Sequence, residues 1–92
     1  MILTMPSVAV AYELTLVGAC LPHNEGKASQ MIQDLYTVVR QSGGAAIDVW
    51  SYQFPTFGHA SAASHAIRQL GLAFDDFTIV TVDQRTGRAL QH

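Results

Sequence analysis

The sequence predicts an α+β fold, with two helices laid on one face of a small, mostly antiparallel sheet. Three observations carry this. Val8–Val17 alternates large apolar side chains with smaller or polar ones at a period of two. Lys27–Ser42 carries its apolar side chains at spacings of three and four. The segments follow in the order strand, helix, strand, helix, strand, and no glycine-rich phosphate loop follows the first strand, which argues against a nucleotide-binding doubly wound sheet.

Met1–Ser7 reads as a short tail containing Pro6. In the strand that follows, Val8, Val10, Tyr12, Leu14 and Leu16 share one side, and Ala9, Ala11, Glu13, Thr15 and Val17 share the other. One large apolar face is what a half-buried strand needs. Leu21–Gly26 is a turn, and the Asn24 side chain is placed to accept a free backbone N–H at the start of the next helix. That helix, Lys27–Ser42, has its stripe at Ala28, Met31, Ile32, Leu35, Tyr36 and Val39, with Arg40 well placed in the last turn. Gly43 and Gly44 end it.

Ala45–Phe54 reads as one strand, with Ala45, Ile47 and Val49 on one side and Asp48, Trp50, Tyr52 and Phe54 on the other. If the helices cover Ile47 and Val49, then Trp50, Tyr52 and Phe54 stand on the outer face and need a partner. A bend in the strand would instead pack these aromatics inside. Pro55–Gly58 is a turn, and His59–Leu70 is a helix whose inner stripe is Ala60, Ala63, Ile67 and Leu70. Gly71 ends it, with Leu72 and Phe74 placed to fold back on it. Asp75-Asp76 is an acidic turn, Phe77–Val82 a β-branched strand, and Asp83–Arg88 a turn-prone basic tail that loosens over Ala89–His92. The layout matches a ferredoxin-like arrangement, which normally has four strands. One strand is therefore short, missing or hidden in Trp50–His59.

The 92 residues are expected to form one domain with a single modest core. A hydrophobic fraction of 49% with 13% charged residues excludes disorder and leaves few charges to cover a surface. The net charge of −2 excludes a free-standing nucleic-acid binder that works through a strongly basic face, so contact with nucleic acid must be local or shared. Cys20 is the only cysteine, which rules out an intrachain disulfide and fits a reducing compartment. No apolar run is long enough for a spanning helix. Val17-Gly18-Ala19-Cys20 resembles a lipoprotein signal ending, but no Lys or Arg precedes the apolar part, and Pro6 and Glu13 interrupt it.

Four histidines raise a metal or catalytic reading. His59 and His65 are six apart, which separates them around a helix, while His23 lies in a turn and His92 is terminal. Zinc needs three or four ligands at recognisable spacings, so no metal site is expected. Ser61 and His65 can share a hydrogen bond on one helix face, but a serine nucleophile also needs an oriented base and an oxyanion site. Asp75 and Asp76 point apart in an extended turn and read as turn formers. The Cys20 thiol reads as a small buried or half-buried strand-end residue. Arg85 and Arg88 are the only close basic pair and, with Gly87, suit phosphate contact or a solvated tail.

The chain resembles the ribosomal protein six family of the bacterial-type small subunit, in a divergent, organellar form. The resemblance rests on Tyr12-Glu13-Leu14-Thr15-Leu16-Val17, on Met31–Val39 in the long helix, on Gly43-Gly44 before a strand, and on the closing Leu72–Asp83 with Phe77–Val82. Trp50–His59 is too short for the family's long hairpin, and the basic residues that usually flank that hairpin are absent. The resemblance implies a ferredoxin-like fold, no enzymatic activity, no cofactor, and a structural role on ribosomal RNA beside ribosomal protein eighteen.

The expected function is therefore a non-enzymatic component of a small ribosomal subunit in the mitochondrial matrix, or alternatively in the cytoplasm. Arg85, Arg88 and Lys27 are expected to contact RNA, and Trp50, Tyr52 and Phe54 to meet a protein neighbour. Two rival readings are a ferredoxin-like homodimer that binds a small molecule, and a dimeric α+β barrel enzyme with His59 or His65 as general base.

Overall fold

The computed structural model describes residues 10–90, so the Met1–Ser7 tail, Val8 and Ala9 of the first strand, and His92 lie outside the described residues. The elements are β1 (Val10–Val17), α1 (Glu25–Gln41), β2 (Ala45–Asp48), β3 (Ser51–Phe54), α2 (Phe57–Arg68) and β4 (Asp76–Asp83). The sheet order is β2-β3-β1-β4, with every neighbouring pair antiparallel. This is the ferredoxin-like arrangement, and the fourth strand comes from a division of Ala45–Phe54 into a tight hairpin.

Both helices cover the same face of the sheet. Leu14 and Leu16 of β1 and Tyr52 and Phe54 of β3 pack with Met31, Leu35 and Val39 of α1 and Ala60, Ala63 and Ile67 of α2. The two alanines of α2 bring that helix close to the strands, and Leu70, Leu72 and Phe74 fold back against the cluster as their positions predict. Asn24 caps α1, its side-chain oxygen accepting the Lys27 N–H at 3.0 Å. Thr56 caps α2 in the same way through the His59 N–H at 3.1 Å. Each cap satisfies a backbone donor that the helix start leaves free.

The β2–β3 hairpin corrects the one-strand reading of Ala45–Phe54. Asp48 pairs with Ser51, so the chain reverses at Val49-Trp50. The register slips between Ala46 and Asp48, which makes Ile47 a bulged residue without a partner on β3. No residue other than glycine has a positive φ among the described residues, so the loop lacks the twist of the favoured two-residue turns. The bulge compensates for this mismatch. Two side-chain bonds hold the reversal: the Trp50 N–H donates to Asp48 Oδ1 at 2.9 Å, and the Tyr52 hydroxyl donates to the Val49 carbonyl. Tyr52 and Phe54 consequently face the helices and are fully buried, Trp50 packs half-buried against the same core, and Ile47 is 51% exposed.

The Phe54 ring lies directly on Gly44, where a methyl group would overlap it. Gly44→Ala should cost about 1–3 kcal/mol, read from the urea midpoint, because the aromatic would have to move in a closed core. Burial raises the Tyr52 phenol well above its usual pKa. Above about pH 10 the unfolded chain loses this proton and the folded chain keeps it, so stability falls as pH rises there, by up to about 1.4 kcal/mol per pH unit, and is flat below. Urea unfolding at pH 9 and pH 11 should show this slope, and Tyr52→Phe should reduce it.

Candidate functional site

The strand register divides the expected site residues between two ends of the sheet. β1 and β4 pair along their whole length, from Val10 with Asp83 to Val17 with Asp76. The turn carrying Arg85 and Arg88 therefore lies at the start of β1, and the first turn of α1, carrying Lys27, follows its end. Eight strand residues at about 3.3 Å each separate these ends by roughly 25 Å. The structure does not bring Lys27 together with the arginines. Nor does it make Trp50, Tyr52 and Phe54 an outer face: Tyr52 and Phe54 belong to the core, and their place on the surface is taken by Ile47 and the exposed β2 backbone edge.

The basic tail is more ordered than its composition predicts. Asp83-Gln84-Arg85-Thr86 forms a turn, with the Gly87 N–H reaching the Asp83 carbonyl at 2.7 Å. Gly87 takes φ +72°, a conformation that costs glycine little. The chain then returns along β4: the Asp83 N–H bonds the Arg88 carbonyl at 2.8 Å, the Leu90 N–H bonds the Thr81 carbonyl at 2.9 Å, and Ala89 bridges Val82. The Asp83 carboxylate accepts the Arg85 N–H at 2.9 Å and lies 3.5 Å from its guanidinium. Arg88 has no acidic partner among the described residues.

The sheet face away from the helices carries Glu13, Thr15, Gln53 and Val80 in its middle, all half-buried. Glu13 is flanked by Gln53 on β3 and Val80 on β4. No lysine, arginine or histidine of the described strands shares this face, and Glu13 forms no ion pair among the described residues. An open groove of about 310 Å³ lies at the end of this face, where Ala11, the Gly43-Gly44 turn, Gln53, Pro55 and Gln84 meet.

The histidines do not converge. His59 shares a hydrogen bond with the Thr56 hydroxyl at the start of α2 and packs its ring against Gly43. His65 is exposed on α2, and no Ser61–His65 bond forms; the Ser61 carbonyl accepts the Ser64 hydroxyl at 2.7 Å. Among the described residues no group of three or more His, Cys, Asp or Glu is placed to hold a metal ion. Cys20 is exposed rather than buried or half-buried, because β1 ends at Val17 and leaves it in the following loop. No described helix is long and apolar enough to cross a membrane.

Arg68 is a feature that sequence reading missed. Its guanidinium stacks 4.8 Å from the Phe77 ring centre and 5.2 Å from that of Phe74, and meets Asp76 at 3.4 Å. Only the return of the chain after Gly71 brings these residues together, and no local spacing signals it.

Comparison of the chain with protein-family models, with curated proteins and with solved structures gives no match.

The Arg85 N–H, and then its charged side chain, hold the Asp83 carboxyl below the usual carboxylate range. This contribution is therefore present above about pH 4 and is lost as pH falls through the depressed folded value. Following the Arg85 amide by NMR from pH 6 to pH 2 should show a transition below pH 4, and Asp83→Asn should abolish it.

Proposed function

We propose that the protein is a non-enzymatic structural subunit of a small ribosomal subunit in the mitochondrial matrix, where it contacts ribosomal RNA and a neighbouring protein, ribosomal protein eighteen being the first candidate. The observation that carries this reading is the free edge of β2. All four of its residues are exposed, and Ile47 stands outward at a bulge. An edge strand with unpaired backbone groups and an exposed apolar side chain suits a partner that adds a strand to it. The opposite edge differs, because Ala89 already covers part of β4.

The fold implied by the family resemblance and the observed strand order agree, which supports the reading without identifying the particle. RNA contact falls to Arg85 and Arg88, on a hairpin whose geometry is held by Asp83 and Gly87. Lys27 stands apart as a second contact at most. The homodimer is the second reading, favoured by the uncharged Thr15, Val17 and Val80 on the open sheet face. Stacking two such faces about a two-fold axis would bring one Glu13 towards the other, and like charges in a closing interface oppose it.

Gentle affinity purification from the native source, followed by gradient sedimentation, tests the proposal. The protein is expected to co-migrate with a small ribosomal subunit. Arg85→Ala with Arg88→Ala should lower its occupancy there by severalfold while leaving the isolated chain folded. A light, symmetric, RNA-free dimer would overturn the ribosomal reading, and unchanged occupancy of the double variant would remove the arginines from it.

A further inference from the structure

The groove at the end of the open sheet face has a definite chemistry. Its floor is Ala11, and β1 lies between β3 and β4, so Gln53 and Gln84 enter the groove from opposite sides. Its other walls are Gly43-Gly44 and Pro55. At about 310 Å³ it stands at the lower limit of small-molecule clefts, a size for one small group rather than a chain of them.

No charged side chain lines the groove. Its polar equipment is two carboxamides, each offering two N–H donors and one carbonyl acceptor. Such groups match the mixed donor and acceptor edge of a nucleobase. The Gly43-Gly44 backbone forms one wall, held in place by the His59 ring against Gly43 and the Phe54 ring against Gly44.

Charge is placed beside the groove. Arg85 directly follows Gln84, and Arg88 stands on the returning arm of the same hairpin. Glu13, cross-strand from Gln53, puts a negative charge on the other flank. A ligand with one anionic end is thereby oriented, its neutral ring in the groove and its anion towards the hairpin.

We propose that this groove binds one nucleotide unit, with its base between Gln53 and Gln84 and its phosphate at Arg85 and Arg88. The inference deepens the RNA-contact reading above and rests on it. A nucleotide within an RNA strand and a free mononucleotide share this chemistry, and affinity separates them.

The test is an NMR titration of the full, isotope-labelled chain with adenosine and uridine 5′-monophosphates, the parent nucleosides, inorganic phosphate and a short single-stranded oligoribonucleotide. The monophosphates should shift the Gln53 and Gln84 side-chain amides together with the Arg85 and Arg88 signals. Nucleosides should move the glutamines alone, and phosphate the arginines alone. Gln53→Ala with Gln84→Ala should weaken monophosphate binding at least tenfold with an otherwise unchanged spectrum. An oligoribonucleotide that binds more than tenfold tighter than the monophosphates assigns the site to an RNA strand, and equal affinity assigns it to free nucleotide; either supports the site. Glutamine amides that stay still at millimolar nucleotide, or shifts that persist in the double variant, would overturn it. A chain that sediments with the small subunit yet fails this titration loses the groove and keeps the proposed function, and the reverse result separates the two in the other direction.

Discussion

The rest of the structure depends on the reversal at Val49-Trp50. Within one residue of this loop, Asp48 takes the Trp50 N–H, and the Tyr52 hydroxyl closes back on the Val49 carbonyl. That second bond has two effects at once. It satisfies a phenol that is otherwise sealed in the core, where an unpaired polar group is costly. It also fixes the turn that sends Tyr52 and Phe54 inward. β3 can then pair with β1, Tyr12 opposite Phe54 and Leu14 opposite Tyr52, so that one apolar face is presented to both helices. The Leu16 N–H extends this pairing to the Trp50 carbonyl at 2.8 Å. Without the reversal the sheet would have three strands, and two large aromatics would face water.

The same turn exposes what the core does not use. A two-residue loop with negative φ throughout does not match the twist of the strands it joins, and the bulge at Ile47 absorbs the difference. Ile47 is therefore turned out of the ladder, on an edge strand that no other part of the described chain covers. The core and the candidate partner surface are two consequences of one local constraint. Phosphate contact belongs to a different hairpin, at Asp83–Arg88. The two features meet only at the groove, where Gln53 of β3 and Gln84 of the second hairpin line one depression.

Much of this was legible in the sequence because the signals were local. The Asn24 cap, the Met31–Leu35–Val39 stripe, the Ala60–Ala63–Ile67 stripe and the β-branched last strand all follow from short periodicities, and the structure places each as expected within two residues or so of its ends. Ala45–Phe54 was legible only as a choice: the bend that packs the aromatics inside and the strand hidden in Trp50–His59 match the structure, whereas the continuous-strand reading fails for a physical reason. A reversal and a bulge each reset the two-residue alternation, so a pattern read as continuous assigns Ile47 inward and Tyr52 outward, the opposite of what the fold does. No glycine, asparagine-glycine or proline marks this loop. The candidate site was partly legible: Arg85 and Arg88 stood out as a basic pair, whereas Gln53, Gln84 and Arg68 acquire their neighbours only through strand pairing and chain return.

Amide hydrogen exchange at β2, compared between the free chain and the chain within a purified small-subunit particle, tests this account most directly. The β2 amides that face away from β3 should exchange rapidly in the free chain and become strongly protected in the particle, while the Tyr52 and Phe54 amides stay protected in both. Protection of the outer β2 amides in the free chain, or rapid exchange there in the particle, would contradict the claim that this edge is held open for a partner strand.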